Sequence, residues 1–256
     1  MLYCAEFKRT ERRKMAILPY QKENDSSMKK AEAVQLMFDS IAHRYDLLND
    51  LMTAGMHRRW KLLTVKETVG DGTNSVLDIA CGTGDLGFLF KKFGVEKVIG
   101  VDFSENMLKV AARKVNEKER DSVLFSRADA LELPFQDDLF DAVATGFSLR
   151  NVDGIEKMFG EVYRVLKPGG RFASLELTEI KSSVIGGLFR IYFNNIVPIL
   201  GGFITGDREA YDYLPESIAN VPKAEDVGIM MEQAGFSSIK VRKLGFGSVA
   251  LIRGSK

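Results

Sequence analysis

The sequence predicts a doubly wound α/β fold with a mostly parallel sheet. The chain has 256 residues, of which 45% are hydrophobic, and a chain of this size can bury one good-sized core. Short apolar runs alternate with helical stretches, and a glycine-rich loop directly follows the first run. Strands that alternate with helices pair in parallel. We expect one large domain at 31–256 after a polar arm at 1–30.

The beginning of the chain predicts an arm and then a helical cap. Residues 1–30 are polar and without periodicity, which favours a segment whose order depends on docking. From Ala31 onward apolar side chains recur at three- and four-residue steps, as an amphipathic helix requires. They are Val34, Met37, Phe38, Ile41, Tyr45 and Leu48. A helical N-terminal cap is therefore predicted over 31–70.

The alternating core follows the cap. The predicted strands are Val76–Ile79, Val98–Val101, Val123–Phe125, Phe140–Ala144 and Arg171–Leu175. Helices are predicted at Asn106–Lys118 and Ile155–Leu166, and Lys167–Gly170 is interpreted as the turn into the fifth strand. After a mixed apolar region at 184–222, the sequence predicts a helix at Ala224–Ala234 and runs at Ile239–Leu244 and Val249–Ile252. The last two runs are typical of a closing antiparallel hairpin.

Charge and cysteine content narrow the function classes. Lys plus Arg number 36 and Asp plus Glu number 35, so bulk charge gives no reason to expect nucleic acid as a partner. Cys4 and Cys81 form no Cys-x-x-Cys pair, which argues against a disulfide framework or a structural zinc site. The apolar stretch Val184–Ile204 is interrupted by Arg190, Asn194, Asn195 and Pro198, so no membrane span is expected. We predict a cytoplasmic protein and leave open peripheral contact at the inner face of the membrane.

The glycine-rich loop predicts the cofactor. It has the Gly-x-Gly-x-x-Gly spacing of a dinucleotide site, at Gly82, Gly84 and Gly87. Asp78 and Asp85 flank it, however, and carboxylates oppose a pyrophosphate at a helix N-terminus. S-adenosylmethionine has an ammonium, a sulfonium and a carboxylate but no phosphate. Asp78 would suit its cation and the loop amides its carboxylate, so the loop favours this cofactor over NAD.

Further residues complete the predicted cofactor site. Asp102 ends the second strand and can accept hydrogen bonds from both ribose hydroxyls. Asp129 can accept from the adenine amine and the Ala130 amide can donate to a ring nitrogen, although a plain turn is the competing interpretation. Met107 is expected partly in the core and partly in the adenine wall. For Asp85, an ordinary position in a helix's first turn is at least as good an interpretation.

Several motifs together resemble the quinone-biosynthesis C-methyltransferases, which methylate demethylmenaquinol or the corresponding ubiquinone-pathway benzoquinol. The motifs are Phe38–Asp46, Leu51–Lys61, Leu77–Leu86, Leu149–Val152 and Tyr211–Ile218. The resemblance covers roughly Met28–Arg253. It implies the Rossmann-like fold of class I S-adenosylmethionine-dependent methyltransferases, with no metal. It also implies cofactor contacts at Thr83, Asp102, Asp129 and Ala130.

The chemistry of the implied reaction predicts the substrate and the catalytic residues. A ring carbon is a poor nucleophile unless an adjacent hydroxyl donates electron density, so the substrate is expected to be the reduced, prenylated quinol. The resemblance implies Arg150 and Asn151 at the ring, where Arg150 would stabilise a phenolate with a water relay. Tyr45 is either a wall of the substrate site or a core residue. Residues 184–222 either form a lid that lines a prenyl tunnel or belong to the core.

Alternative functions remain open from the sequence. An NAD-dependent oxidoreductase would fit the glycine spacing but not the flanking carboxylates. A non-catalytic methyltransferase-like subunit would bind the cofactor without turnover, and Arg150-Asn151 argues weakly against it. We favour methylation of demethylmenaquinol over the ubiquinone-pathway benzoquinol or another small molecule, and we leave a homodimer open.

Overall fold

The computed structural model describes residues 26–178, 180, 186–187, 189, 191–197 and 221–256. Its sheet has seven strands in the order β3-β2-β1-β4-β5-β7-β6. The strands are β1 Ser75–Ile79, β2 Lys97–Asp102, β3 Val123–Arg127, β4 Phe140–Gly146, β5 Leu166–Leu177, β6 Ser237–Leu244 and β7 Val249–Ser255. The first five pair in parallel, and β7 pairs antiparallel with both β5 and β6. The predicted mostly parallel sheet with a closing hairpin is confirmed.

Helices cover both faces of this sheet. They are α1 Ser26–Ile41, α2 Tyr45–Thr53, α3 Met56–Thr68, α4 Asp85–Lys92, α5 Glu105–Lys114, α6 Ile155–Val165 and α7 Ala224–Gln233. Val76 of β1 belongs to a buried cluster with Val65 of α3 and Phe90 of α4. The next residue, Leu77, belongs to a separate cluster with Phe159 of α6. Successive side chains of one strand point to opposite faces, so β1 contributes to both cores.

The cap is divided differently from the prediction. The apolar periodicity predicts a helix from Ala31, but α1 begins at Ser26 and ends at Ile41. A short 3₁₀ turn, Ala42–Arg44, then redirects the chain into α2. The apolar periodicity does not reveal this turn, because the apolar residues on both sides of it pack into one cluster.

The predicted turn at Lys167–Gly170 lies within β5 instead of before it. While β4 advances from Phe140 to Ala142, its partner on β5 advances from Leu166 to Arg171, so β5 bulges outward there. Gly169 has a φ of +77°, a conformation that glycine adopts without steric cost. Its amide donates to the carbonyl of Lys256 at 3.0 Å. Backbone pairing therefore continues through a segment whose composition is typical of a turn.

Three sequence-based predictions lie wholly or mostly outside the described residues. They concern the arm up to residue 25, the motif Tyr211–Ile218 and most of the region 184–222. Within that region a π-helical turn at Tyr192–Ile196 is described, and the Tyr192 hydroxyl donates to the carbonyl of Met52 in α2 at 3.1 Å. None of the helices in the described ranges has the length and apolar character needed to cross a bilayer.

Candidate active site

A cavity of about 450 Å³ lies at the carboxyl ends of the central strands. Residues that end or follow four neighbouring strands line it, namely Ala80 after β1, Asp102 at the end of β2, Asp129 after β3 and Phe147 after β4. The strand order reverses between β1 and β4. Doubly wound sheets bind their ligands in the crevice at such a reversal. The fold therefore forms the cavity where the sequence predicts the cofactor.

The cap forms another wall of this cavity. Gln35 and Phe38 of α1 and Tyr45 of α2 line it. The rings of Phe38 and Tyr45 meet edge to face with their centroids 6.0 Å apart, which is a favourable arrangement for two aromatic rings. The backbone at Gly82 comes close to the Tyr45 ring, since a Cβ built on Gly82 would lie 3.8 Å from Tyr45 Cε1. Tyr45 is thus a cavity wall, as one of the two sequence interpretations proposes.

Asp102 lines the cavity, where backbone amides fix its carboxylate. Its Oδ2 accepts the Gly82 amide at 2.7 Å and its Oδ1 accepts the Ser104 amide at 2.8 Å. Burial raises the pKa of Asp102, although these amide hydrogen bonds act in the opposite direction. Each carboxylate oxygen has two acceptor lone pairs. Asp102 can therefore hold its two amides and still accept two ribose hydroxyls.

The segment after β3 has a fixed shape. Asp129 Oδ1 accepts the Leu131 amide at 2.8 Å, so Asp129 forms the turn that the sequence offers as the competing interpretation. Asp129 and Ala130 nevertheless line the cavity, and so does Met107 from the first turn of α5. Met107 is 1% exposed. It is a core residue that also lines the cavity, as predicted.

Two residues beside the same cavity have a strained backbone. Ala80 has a φ of +51° and Phe147 a φ of +60°, a region that L residues occupy at a cost of about 1–2 kcal/mol. Both residues line the cavity. Strain of this kind persists where the surrounding structure demands a particular backbone path, often at a functional site. Here it bends the chain sharply after β1 and after β4.

Asp78 does not line the cavity, although the sequence predicts it as a partner of the cofactor cation. Its side chain is directed to the α4 face of β1, where Oδ2 accepts the Gly87 amide at 3.0 Å. Within the described ranges its Oδ1 is buried without a hydrogen-bond partner. Burial raises the pKa of Asp78 to about 8, against the opposing effects of the Gly87 amide and of Lys61. The structure therefore presents Asp78 as a support for the start of α4.

A polar network joins the glycine loop to the cap. The Thr83 hydroxyl donates to Asp46 of α2 at 2.5 Å, and Lys114 of α5 also donates to Asp46. Lys114 further donates to the Thr83 carbonyl at 3.1 Å. Asp85, the first residue of α4, is paired with Lys61 of α3, with Oδ2 2.7 Å from Nζ. Thr83 and Gly84 belong to this support of the loop and not to the cavity wall, whereas Gly82 lines the cavity.

Arg150 and Asn151 lie in a 3₁₀ turn, Leu149–Asn151, that follows β4. Asn151 lines the cavity together with Ser148. The Arg150 guanidinium is not part of the wall and instead contacts Glu176 of β5, with Nη1 2.7 Å from Oε1. The two side chains are 8% and 2% exposed. The sequence predicts Arg150 at the substrate ring but gives no indication of this buried partner.

The structure thus brings together most, though not all, of the predicted site residues. Seven line the cavity: Tyr45, Gly82, Asp102, Met107, Asp129, Ala130 and Asn151. The other four do not line it and belong to the segments that support its wall: Asp78, Thr83, Gly84 and Arg150. Apart from Glu176, the residues that sequence reasoning did not single out include Asp46 and Lys114, which face each other across a separation of 68 positions. Such long-range pairs leave no local periodic signal.

A doubly wound sheet of this strand order, with a cavity at the carboxyl ends of β1 to β4 and an acidic residue ending β2, defines the class I S-adenosylmethionine-dependent methyltransferases. The chain belongs to the ubiE/COQ5 methyltransferase family, whose model matches residues 25–256. The predicted methyltransferase class and its cofactor, S-adenosylmethionine, are thereby confirmed.

Two relatives and one solved structure illustrate the similarity. The chain is 43% identical over 222 residues to a demethylmenaquinone methyltransferase of Thermus thermophilus, with 86% of this chain and 100% of the relative covered. It is 38% identical over 228 residues to a ubiquinone/menaquinone biosynthesis C-methyltransferase of Rickettsia bellii, with 87% and 92% covered. A SAM-dependent methyltransferase of Thermotoga maritima shares the fold at a TM-score of 0.62 and 21% identity, over 87% of this chain and 99% of that one.

Proposed function

We propose that this chain methylates a ring carbon of a reduced, prenylated quinone precursor, with demethylmenaquinol as its substrate. The observation that carries this proposal is the cavity with Asp102 and Gly82 on one wall and Tyr45 and Asn151 on others, in a chain 43% identical to a demethylmenaquinone methyltransferase. The ubiquinone-pathway benzoquinol is the second candidate, because the Rickettsia bellii relative is named for both pathways. Methyl transfer to each quinol, followed by mass spectrometry of the product, distinguishes them.

The chain's own residues would hold the cofactor at the carboxyl ends of β1 to β3. S-adenosylmethionine supplies the methyl group as an electrophile on a positively charged sulfur. Asp102 would accept the ribose hydroxyls, and the segment Asp129–Ala130 would meet the adenine edge. The Gly82 backbone, free of a Cβ, allows a close approach beside Asp102. These assignments fit the acceptor chemistry of Asp102, whose bound amides leave further lone pairs.

The substrate ring would lie between the cofactor and the turn after β4. The Asn151 side chain can orient a ring hydroxyl, and the Tyr45 ring would cover the opposite side and exclude water. Arg150, behind Asn151, would supply positive charge that favours the phenolate form of the hydroxyl. Positioning and exclusion of water account for most of the acceleration in such a transfer. A phenolate next to the reacting carbon makes that carbon a sufficient nucleophile.

The substrate's prenyl tail suggests that the cap rests on a membrane surface. Leu47 and Leu51, one turn apart on α2, are 52% and 46% exposed, and Ile191 and Ile196 on the adjoining described turn are 58% and 44% exposed. Exposed apolar side chains such as these are suited to contact with acyl chains. We expect Leu47→Glu with Leu51→Glu to lower sedimentation with phosphatidylglycerol vesicles. Ile229→Glu on α7, at a side chain that is also 52% exposed, is the matched control.

The homodimer stays a prediction, to be measured by sedimentation equilibrium.

A further inference from the structure

Glu176 is a buried carboxylate at the carboxyl end of β5. The residue is 1% exposed, which is costly for a charged group unless it is paired and hydrogen-bonded. Its Oε1 accepts Arg150 Nη1 at 2.7 Å and the Leu177 amide at 2.8 Å. Its Oε2 accepts the Arg150 amide at 3.4 Å. Both the backbone and the side chain of Arg150 are therefore held by one carboxylate.

This carboxylate fixes the turn that forms one cavity wall. Ser148 and Asn151, on either side of Leu149 and Arg150, line the cavity. Along β5 the neighbours Ala173 and Leu175 pack in the cluster of Trp60 on the α3 face, so the alternation of a strand directs Glu176 to the α6 face, where the turn lies. A carboxylate in an otherwise apolar strand end is not needed for the core. Its contacts lead to the wall of the cavity.

The hydrogen bond between Arg150 and Glu176 restrains the guanidinium of Arg150. Arginine has five N–H donors in a planar fork. In the part of the chain that the structure describes, the Arg150 guanidinium has a hydrogen bond to Glu176 and to no other residue. The hydrogen bond from Nη1 to Oε1 restrains the guanidinium on the side that faces β5.

We propose that Glu176 is a positioning residue for the methyl transfer: it holds Arg150 behind the cavity wall and fixes the Leu149–Asn151 turn that forms part of that wall. This inference rests on the proposed function and extends it to a residue on β5. Glu176 itself does not touch substrate or cofactor. Its effect on the rate passes through Arg150.

The test is a double-mutant cycle with Glu176→Gln, Arg150→Lys and the pair. Glu176→Gln keeps the shape but removes the charge, and we expect kcat to fall about 10- to 100-fold, the range for a slight misplacement of a positioned group, with an unchanged Kd for S-adenosylmethionine. In the Arg150→Lys background the same change should lower kcat by less than about 3-fold, since residues that act through one another are not additive. Independent, multiplying effects would overturn the proposal, as would a normal kcat in folded Glu176→Gln.

A control and a second readout keep the test decisive. Asp141→Asn removes a carboxylate that pairs with Lys167 at 2.6 Å at the amino end of β4, and we expect it to lower stability but not kcat. Hydrogen exchange of the amides at 148–152 requires no turnover, and Glu176→Gln should raise it at least 10-fold while Asp141→Asn leaves it unchanged. If the parent methylates no quinol, the proposed function fails while this exchange result still decides the positioning role. If Glu176→Gln does not fold, Glu176→Asp, which keeps the charge but shortens the side chain, takes its place. It should likewise raise the exchange of the amides at 148–152 above that of the parent. Exchange equal to the parent's would overturn the proposal.

Discussion

The Thr83 hydroxyl and the Asp46 carboxylate meet at 2.5 Å and join the glycine loop to the cap. The partners come from different parts of the fold, since Asp46 lies on α2 and Thr83 follows β1. Tyr45, the neighbour of Asp46, lines the cavity. The hydrogen bond therefore couples the glycine loop to the segment of α2 that places Tyr45 against it.

Asp46→Ala tests this coupling. We expect the Kd for S-adenosylmethionine to rise about 3- to 10-fold, near 1 kcal/mol, because the contacts of Asp46 with Thr83 and Lys114 at a partly exposed site are lost. Isothermal titration calorimetry measures it. Asp121→Ala, at an exposed position just before the amino end of β3, is the control and should bind normally. Equal affinity in both variants would show that the cap does not support the cofactor site.

Asp102→Ala should have a larger effect on the same affinity. Asp102 lines the cavity and is proposed to accept the ribose hydroxyls, so its removal should weaken S-adenosylmethionine by about 1.5–3 kcal/mol. The variant also leaves the Gly82 and Ser104 amides without their present acceptor, so a melting curve must accompany the titration. An unchanged Kd in a folded variant would remove Asp102 from the cofactor site. NAD should not bind the parent protein.

Asp78→Asn should alter the pH dependence of stability. The folded-state pKa of Asp78 is raised to about 8 by burial, whereas an unfolded aspartate titrates near 4. Between these values the native state holds a proton that the unfolded state has lost, so the parent's free energy of unfolding falls as the pH rises from about 4 to about 8. Asn removes this titration.

Urea unfolding of cofactor-free protein at pH 5 and pH 8 measures the effect. The stability of Asp78→Asn relative to the parent should increase by more than about 1 kcal/mol between the two pH values, which corresponds to one unit of pKa shift. Asp121→Asn should show no such change, because its carboxyl is exposed. A constant difference between Asp78→Asn and the parent would mean that Asp78 is charged in the native protein at both pH values.

The role of Asp78 marks the limit of prediction from the sequence. Local periodicity predicts the strands and the hairpin, and the glycine spacing predicts the loop. Asp102 and Asp129 are predicted from their positions at the end of one strand and after another. Strand alternation places Asp78 on the same face as Val76, which packs against α3 and α4, and that assignment requires knowledge of which helices cover which face. The same applies to Glu176, visible in the sequence only as a carboxylate after apolar residues. Its partner Arg150 lies 26 positions away, and only the assembled sheet brings them together.

Arg150→Lys tests the planar guanidinium behind the cavity wall. Lysine keeps the positive charge but loses the planar donor fork. We expect the barrier to rise by about 2.7–4 kcal/mol, the cost of removing a donor that stabilises a developing oxyanion, with little change in cofactor affinity. Single-turnover methyl transfer with the variant saturated in cofactor measures the barrier, and a melting curve verifies folding. Near-normal turnover would exclude Arg150 from phenolate stabilisation and leave Tyr45 as the next candidate.

The central claim is that an electron-rich quinol ring attacks the methyl group, and its redox state tests this most directly. Purified protein should be incubated with methyl-labelled S-adenosylmethionine and demethylmenaquinol kept reduced by dithionite, beside an anaerobic reaction with oxidised demethylmenaquinone. The account predicts labelled menaquinol with the methyl group on a ring carbon in the reduced reaction, and no labelled product from the quinone. Equal methylation of both redox forms, or a label on oxygen, would contradict it.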